Sequence, residues 1–146
     1  MRLTLRKEEK LRHKRLVEDL FNSGESLYDF PLRVVWRRIS DEDLDGSFRA
    51  ARPDKIGPLQ MLITIPKRKI RHAVDRVLMR RRIREAYRLH RLPLKEMLAT
   101  QEESTGTLSI AFIYIADKTL PYSLIEEKMK RLLSKLIKKI DSDNKA

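Results

Sequence analysis

Residues 67–92 read KRKIRHAVDRVLMRRRIREAYRLHRL and hold eleven Lys or Arg residues against two acids, so 11 − 2 gives +9 of the formal net charge of +12. An α-helix turns by about 100° per residue. Four arginines then stack at i, i+4 spacing: Arg76, Arg80, Arg84 and Arg88, with Arg81 and Arg91 alongside. The opposite side carries Met79, Ile83, Ala86, Tyr87 and His90. The pattern predicts an amphipathic helix that docks by its apolar side and turns its arginines outward, toward a polyanion.

The phase of the apolar residues sets the start of this helix. Ile70 points near the arginine ladder, whereas Ile83 points away from it, so a helix that began before Ile70 would be out of phase. We therefore expect the helix to begin near Ala73, after a basic connection over 67–72. Pro93 ends or bends it, and KEMLATQ predicts a short further turn.

The segments before this helix predict a helix and up to three strands. Apolar residues at helical spacing predict a first helix from about Glu8 to Asn22. SLYDFPLRVVWRRI follows, and Pro31 splits it into two strand pieces. In the second piece Leu32, Val34 and Trp36 fall on one side and Arg33, Val35 and Arg37 on the other. Residues 40–58 are acidic and rich in Gly and Pro, which is typical of an exposed loop. Residues 59–65 form a short apolar strand.

The segments after the arginine helix predict one strand and one helix. TLSIAFIYIA, at 107–116, is a nearly continuous apolar run and predicts a central strand buried on both faces. Residues 121–140 carry a wide apolar stripe at helical spacing. The order of elements indicates an α+β fold, with a small mixed sheet of about four strands packed by helices.

The composition limits the class of protein. A chain of 146 residues with 41% hydrophobic residues predicts a single domain over 1–146. Zero cysteines exclude disulfides, thiolate catalysis and cysteine-ligated metal. No apolar run approaches the roughly 20 residues that cross a bilayer, and the N-terminus does not resemble a signal peptide. We therefore expect a soluble, cytoplasmic protein without a membrane partner.

Candidates for catalysis within the chain are few. His13, His72 and His90 are far apart in sequence and mostly flanked by Arg and Lys, and a positive field disfavours a general base or a metal ligand. An acidic cluster, Asp41, Glu42, Asp43 and Asp45, is a candidate for a divalent ion but lacks the spacing of a calcium loop. A solvated loop is the simpler interpretation. We predict no catalytic residue and no metal ligand in this chain, so that any chemistry belongs to a partner.

The arginine side of the helix favours nucleic acid as that partner. Charged helix faces are commonly just solvated and are then interleaved with opposite charges at i, i+4. Here such acids are nearly absent, and neighbouring arginines repel one another unless counterions or phosphates lie against them. The lack of a helix-turn-helix or zinc finger weakly favours RNA, although composition alone leaves DNA open.

Lys67 to Arg88 resembles the signature of the bacterial ribonuclease P protein subunit, approximately K-K-x-x-x-x-A-V-x-R-N-R-x-K-R-x-x-R-E-x-F-R. The matching positions are Ala73, Val74, Arg76, Arg80, Arg81, Arg84, Glu85, Tyr87 and Arg88. The opening LRKEEKLR, the Leu20-Phe21 pair and Gly24-Glu25-Ser26 also resemble the family's N-terminal region. The resemblance covers nearly the whole chain.

The resemblance implies an α-β-β-β-α-β-α domain with a left-handed βαβ crossover. It also implies a ribonucleoprotein in which a catalytic RNA, with Mg²⁺ that the protein does not bind firmly, removes the 5′ leader of precursor tRNA. Contacts to the catalytic RNA would come from Lys67, Arg68, Lys69, Arg76, Arg80, Arg81, Arg84 and Arg88. The leader would lie in a cleft lined by Val17, Phe21 and Val35, positions that are equally typical of ordinary core.

One departure from the signature concerns its R-N-R motif. Val77 and Leu78 stand where the family has Asn and Arg, so those two contacts do not carry over. Either other arginines dock the RNA, or the helix packs differently, or the sequence has been altered; Arg82 is an extra cation that would compensate in part. Two other functions stay open: a ribosome-associated structural RNA-binding protein, and a protein-only nuclease that uses the acidic cluster.

Overall fold

The computed structural model describes residues 5, 9–40, 58–100 and 106–145. Its helices and strands occur in the order α1 Lys14–Ser23, β1 Glu25–Asp29, β2 Leu32–Ile39, β3 Leu59–Thr64, α2 Ala73–His90, α3 Leu92–Thr100, β4 Thr107–Tyr114 and α4 Tyr122–Lys145. The predicted α+β class with a four-stranded mixed sheet is confirmed. The predicted acidic cluster at 41–45 and most of the predicted acidic loop lie outside the described residues.

The sheet has the strand order β1-β2-β4-β3. β2 pairs antiparallel with both β1 and β4, whereas β3 and β4 run parallel. Parallel neighbours need a crossover connection, and here α2 and α3 form it. The left-handed sense of this crossover stays a prediction. β4 lies between two partners and is buried at seven of its eight positions, as its continuous apolar run predicted.

Each face of the sheet packs against different helices. One face forms the main core with α2, α3 and α4, and includes Leu32, Val34 and Trp36 of β2. The opposite face forms a smaller core with α1, in which Val35 and Ile39 of β2 pack with apolar residues of the helix. The predicted alternation along β2 is therefore confirmed, because successive side chains of a strand point to opposite faces. The sheet separates α1 from α2.

Several element boundaries differ from the prediction, among them the end of α4, which reaches Lys145 rather than residue 140. The first helix begins at Lys14 rather than near Glu8, because the preceding residues run beside β3. There the Leu11 amide donates to the Met61 carbonyl at 2.8 Å. The turn predicted after Pro93 is a full helix, α3. Pro93 falls in its first turn, where the missing N–H leaves no helical hydrogen bond unmade.

A buried ion pair ties the N-terminal segment to the junction of α2 and α3. The Arg91 side chain is 1% exposed, and its Nε donates to Glu9 Oε1 at 2.8 Å. Lys95 Nζ donates to the same carboxylate oxygen at 3.0 Å. A buried charge is tolerated only when it is paired and hydrogen-bonded. Glu9 therefore supplies the negative charge that allows Arg91 to be buried.

We expect Glu9→Ala to lower the free energy of unfolding by about 3–5 kcal/mol, because it leaves the Arg91 guanidinium buried without its carboxylate. Urea denaturation monitored by circular dichroism measures the change. Glu18→Ala is the matched control, since its pair with Lys14 is exposed at 3.9 Å and such pairs contribute less than about 1 kcal/mol. Equal stabilities for the two variants would contradict a structural role for Glu9.

Candidate nucleic-acid interface

The exposed side of α2 carries unpaired arginines. Arg80, Arg81 and Arg84 are exposed, and within the described part of the chain their guanidinium groups form no hydrogen bond or ion pair. The opposite side of the helix is buried, as predicted. Its buried residues are Met79, Ile83, Ala86 and Tyr87. The docked side therefore holds the helix in one orientation with these cations facing solvent.

The other cations of the predicted ladder have partners. Arg76 Nη1 donates to the carbonyl oxygens of Ile70 at 3.0 Å and of Arg71 at 2.8 Å. Arg88 forms a two-pronged pair with Glu85, through Nε at 3.0 Å and Nη2 at 2.6 Å. This hydrogen bond from Arg88 holds the pKa of Glu85 below its usual value. The ladder thus divides into free cations and cations that support the fold.

Two further arginines of the segment do not join the ladder. Arg91, expected alongside it, is buried against Glu9, because the chain turns inward between α2 and α3. Arg82 donates to the Leu120 carbonyl before α4, so its guanidinium ties two segments of the fold together. The basic connection before α2 is more accessible, since Lys67 and Arg68 are exposed and Lys69 is partly exposed. We give the name cationic surface to five of the exposed cations of this segment: Lys67, Arg68, Arg80, Arg81 and Arg84.

A second candidate surface lies beside α1, on the other face of the sheet. Leu16 and Leu20 form the buried stripe of the helix. At about 100° per residue, Asp19 falls on one flank of this stripe and Val17 on the other. Asp19 Oδ2 lies 2.7 Å from Arg37 Nε. The flank with Val17 therefore faces away from Arg37, toward the opposite end of β2.

On that flank α1 presents partly exposed apolar side chains beside the sheet. Phe21 follows Val17 by one helical turn and is 45% exposed. Val17 packs on the smaller core together with Leu62 of β3 and Ile113 of β4, and all three are only partly buried. Apolar surface thus continues from α1 onto the adjacent face of the sheet, and we name this surface the sheet cleft, after the cleft that the family resemblance implies.

A row of side chains extends the floor across the whole sheet. The strand register places Tyr28 beside Arg33, Arg33 beside Ile113, and Ile113 beside Thr64. Side chains two residues apart in a strand point to the same face of the sheet. Arg33 and the rest of this row therefore lie on the same face as Val35. The Arg33 guanidinium carbon lies 5.6 Å from the Tyr28 ring centroid, and its Nη2 donates to Ser26 Oγ at 3.0 Å. Aromatic, apolar and cationic groups therefore meet on one open surface.

The predicted cleft residues separate into surface and core. Val17 is partly buried and Phe21 is 45% exposed on α1, and their contact with a leader stays a prediction. Val35 is 2% exposed and packs beneath α1 as core, one of the two interpretations its position allowed. Gly24 explains its burial: a Cβ there would stand 2.7 Å from a Val35 methyl group, so the chain leaves α1 in close contact with β2. Sequence reasoning missed Tyr28 and Arg33 in the cleft, although the alternation along β2 assigns Arg33 to the α1 face.

The histidines form no cluster with acids that could hold a metal ion: within the described residues no group of three or more His, Asp or Glu has that arrangement. His90 instead pairs with Glu126 of α4 at 2.9 Å, and this hydrogen bond holds the pKa of Glu126 below its usual value. Tyr122 donates to the same carboxylate at 3.2 Å.

Among the described helices, none combines the length and the apolar character of a membrane span.

The chain is thus a small basic α+β protein with free arginines on the exposed side of α2. The family model for ribonuclease P matches residues 5–137. The chain therefore belongs to the ribonuclease P protein family, whose members are protein subunits of the ribonucleoprotein endoribonuclease that processes tRNA.

Curated relatives agree with this assignment. The ribonuclease P protein component of Porphyromonas gingivalis is 30% identical over 138 residues, which cover 94% of this chain and 90% of the relative. That of Chlorobium phaeobacteroides is 31% identical over 135 residues, with 89% and 86% covered.

Solved structures share the fold. The ribonuclease P protein of Thermotoga maritima aligns with a TM-score of 0.58 at 18% identity, covering 87% of this chain and 96% of that one. The Staphylococcus aureus ribonuclease P protein aligns with a TM-score of 0.55 at 14% identity, covering 86% and 93%.

We expect Arg76→Ala and Arg80→Ala to differ in stability. Arg76→Ala removes two hydrogen bonds to carbonyl oxygens before α2 and should lower the free energy of unfolding by about 1 kcal/mol. Arg80→Ala removes an unpaired surface cation and should change it by less than about 0.5 kcal/mol. Thermal and urea unfolding measure both. A large loss for Arg80→Ala would mean that Arg80 supports the fold.

Proposed function

We propose that the cationic surface of α2 docks the catalytic RNA of ribonuclease P and that the sheet cleft holds the 5′ leader of precursor tRNA. The observation that carries the proposal is the set of arginines held outward on α2 without acidic partners among the described residues. Arginine forks onto two phosphate oxygens, so such a surface fits a folded RNA backbone. Catalysis and its Mg²⁺ belong to the RNA in this proposal, and the reaction takes place in the cytoplasm, where bacterial tRNA precursors are transcribed.

Because some arginines of the ladder already have partners within the protein, fewer of them are available to bind phosphate. Arg80, Arg81 and Arg84 have their donors available for phosphate, and Lys67 and Arg68 extend the positive surface before the helix. Arg88 is committed to Glu85 in the free protein, and Arg76 to two carbonyl oxygens. These two would contribute to docking mainly through their long-range positive field, together with Lys69.

We expect Arg80→Ala and Arg84→Ala each to weaken binding to a bacterial ribonuclease P RNA transcript. Each lost phosphate contact should also reduce the slope of log K against log salt concentration by about one unit, because fewer condensed counterions are released. Filter binding over a series of salt concentrations measures both quantities. Lys139→Ala, which removes an exposed cation of α4, is the control. Slopes that match that control in both arginine variants would exclude α2 as the docking surface.

The sheet cleft suits an unpaired strand of variable sequence. Bases stack on aromatic and apolar groups whatever their identity, while a nearby cation attracts the backbone. Phe21 and Tyr28, which are 45% and 59% exposed, would supply the aromatic surface, and Arg33 would supply the cation. Since α2 lies across the sheet, the leader and the catalytic RNA would contact opposite sides of the protein.

We expect Phe21→Ala to reduce the preference of the reconstituted enzyme for precursor tRNA with a leader over mature tRNA by roughly fivefold or more, from the loss of one stacking contact. Binding measurements on the two tRNAs give the ratio. Phe21→Trp, which keeps an aromatic ring, should retain the preference, and affinity for the catalytic RNA alone should not change. A preference that survives Phe21→Ala would place the leader elsewhere.

A further inference from the structure

An apolar groove interrupts the exposed side of α2. The groove is shallow and open to solvent; it is lined by Ala73, Val74, Val77, Leu78 and Arg81, and its volume is about 400 Å³. Val74 is 79% exposed, Val77 44% and Leu78 37%. Branched aliphatic groups so concentrated on one exposed helix face differ from the scattered apolar residues of an ordinary surface.

The groove is continuous with the cationic surface. At about 100° per residue, Val77 falls within the line of Arg80 and Arg84, and Leu78 lies one turn before Arg81. The acid of this part of the helix, Asp75, falls more than about 90° around the axis from the centre of the groove. A ligand in the groove is therefore bordered by unpaired guanidinium groups.

We propose that the groove receives an unstacked base of the RNA that docks on α2, with the flanking phosphates on Arg80, Arg81 and Arg84. The inference rests on the proposed function, since it takes that RNA as the ligand. An unpaired nucleotide combines a planar face that packs on aliphatic groups with a phosphate on either side that pairs with arginine.

Charge distinguishes this occupant from others. A second copy of the chain that docked by the same face would place Arg80, Arg81 and Arg84 of the two molecules close together. The acidic residues of α2 are Asp75 and Glu85, and Glu85 is already paired with Arg88. Like charges at close range oppose that contact. An uncharged apolar partner would leave the same guanidinium groups desolvated and unpaired, at high cost. An RNA base can pack on the apolar residues of the groove, and its flanking phosphates can pair with the arginines beside them.

The proposed base contact gives a role to the two positions at which this chain departs from the family signature. Val77 and Leu78 occupy the positions of the signature's Asn and Arg. Aliphatic side chains cannot donate hydrogen bonds, but they can pack against the face of a base. The chain then keeps contact with RNA at these positions through apolar packing, and the arginines around the groove supply the charge.

The test compares a Val77→Ser/Leu78→Ser variant of the full chain with wild type, using a transcript of Porphyromonas gingivalis ribonuclease P RNA. We expect the variant to bind on the order of tenfold more weakly at every salt concentration, which is the scale of one lost base contact. Its slope of log K against log salt should not change, because no phosphate contact is removed. Arg84→Ala should also weaken binding but should lower the slope, because it removes a phosphate contact. Val77→Ile/Leu78→Met keeps the apolar walls and should retain the affinity.

Chemical probing of the bound transcript supplies the second measurement. One nucleotide protected by wild type should become reactive with the serine variant, while the rest of the footprint persists. Unchanged affinity and footprint in the serine variant, with wild type bound normally, would overturn the groove contact and leave the proposed function intact. Failure of wild type to bind the transcript would overturn both. Dimers of free wild-type protein that the serine variant lacks would identify a second copy as the occupant and also overturn the inference.

Discussion

The burial of one side of α2 is the constraint on which the rest of the structure depends. Met79, Ile83, Ala86 and Tyr87 fill the main core against the sheet and α4. Because the buried side cannot rotate without exposing these residues, the free arginines must face solvent. Arginines on a loosely held helix would lose rotational freedom when they bound phosphate. On this helix part of that ordering is completed by folding, so the surface is organised before RNA arrives.

Arginine serves several purposes within one short segment. Arg91 is a buried ion-pair partner that joins the N-terminal residues to the fold. Arg76 and Arg82 satisfy carbonyl oxygens at the ends of neighbouring elements. Arg80 and Arg84 are left available for a ligand. The high charge density of the helix therefore combines arginines that are hydrogen-bonded within the fold with arginines that remain free of such partners among the described residues.

The sheet keeps the two candidate surfaces apart while connecting them rigidly. β2 and β4 contribute residues both to the main core beneath α2 and to the floor of the cleft beside α1. The two surfaces share no side chain, and effects at separated sites without shared partners are generally additive. Under the proposed function, a rigid sheet of this kind would hold two segments of RNA at a fixed separation.

The sequence alone determined the direction of each side chain around its own helix or strand. Helical phase placed the start of α2 at Ala73 and its buried residues opposite the arginines, and the alternation along β2 divided Trp36 from Val35. Tertiary structure decided which groups remained free. Arg91 meets Glu9 across 82 residues of sequence, and Val35 is covered because α1 packs directly on it. Periodicity describes one element at a time, whereas partners and burial depend on residues that only the folded chain brings together.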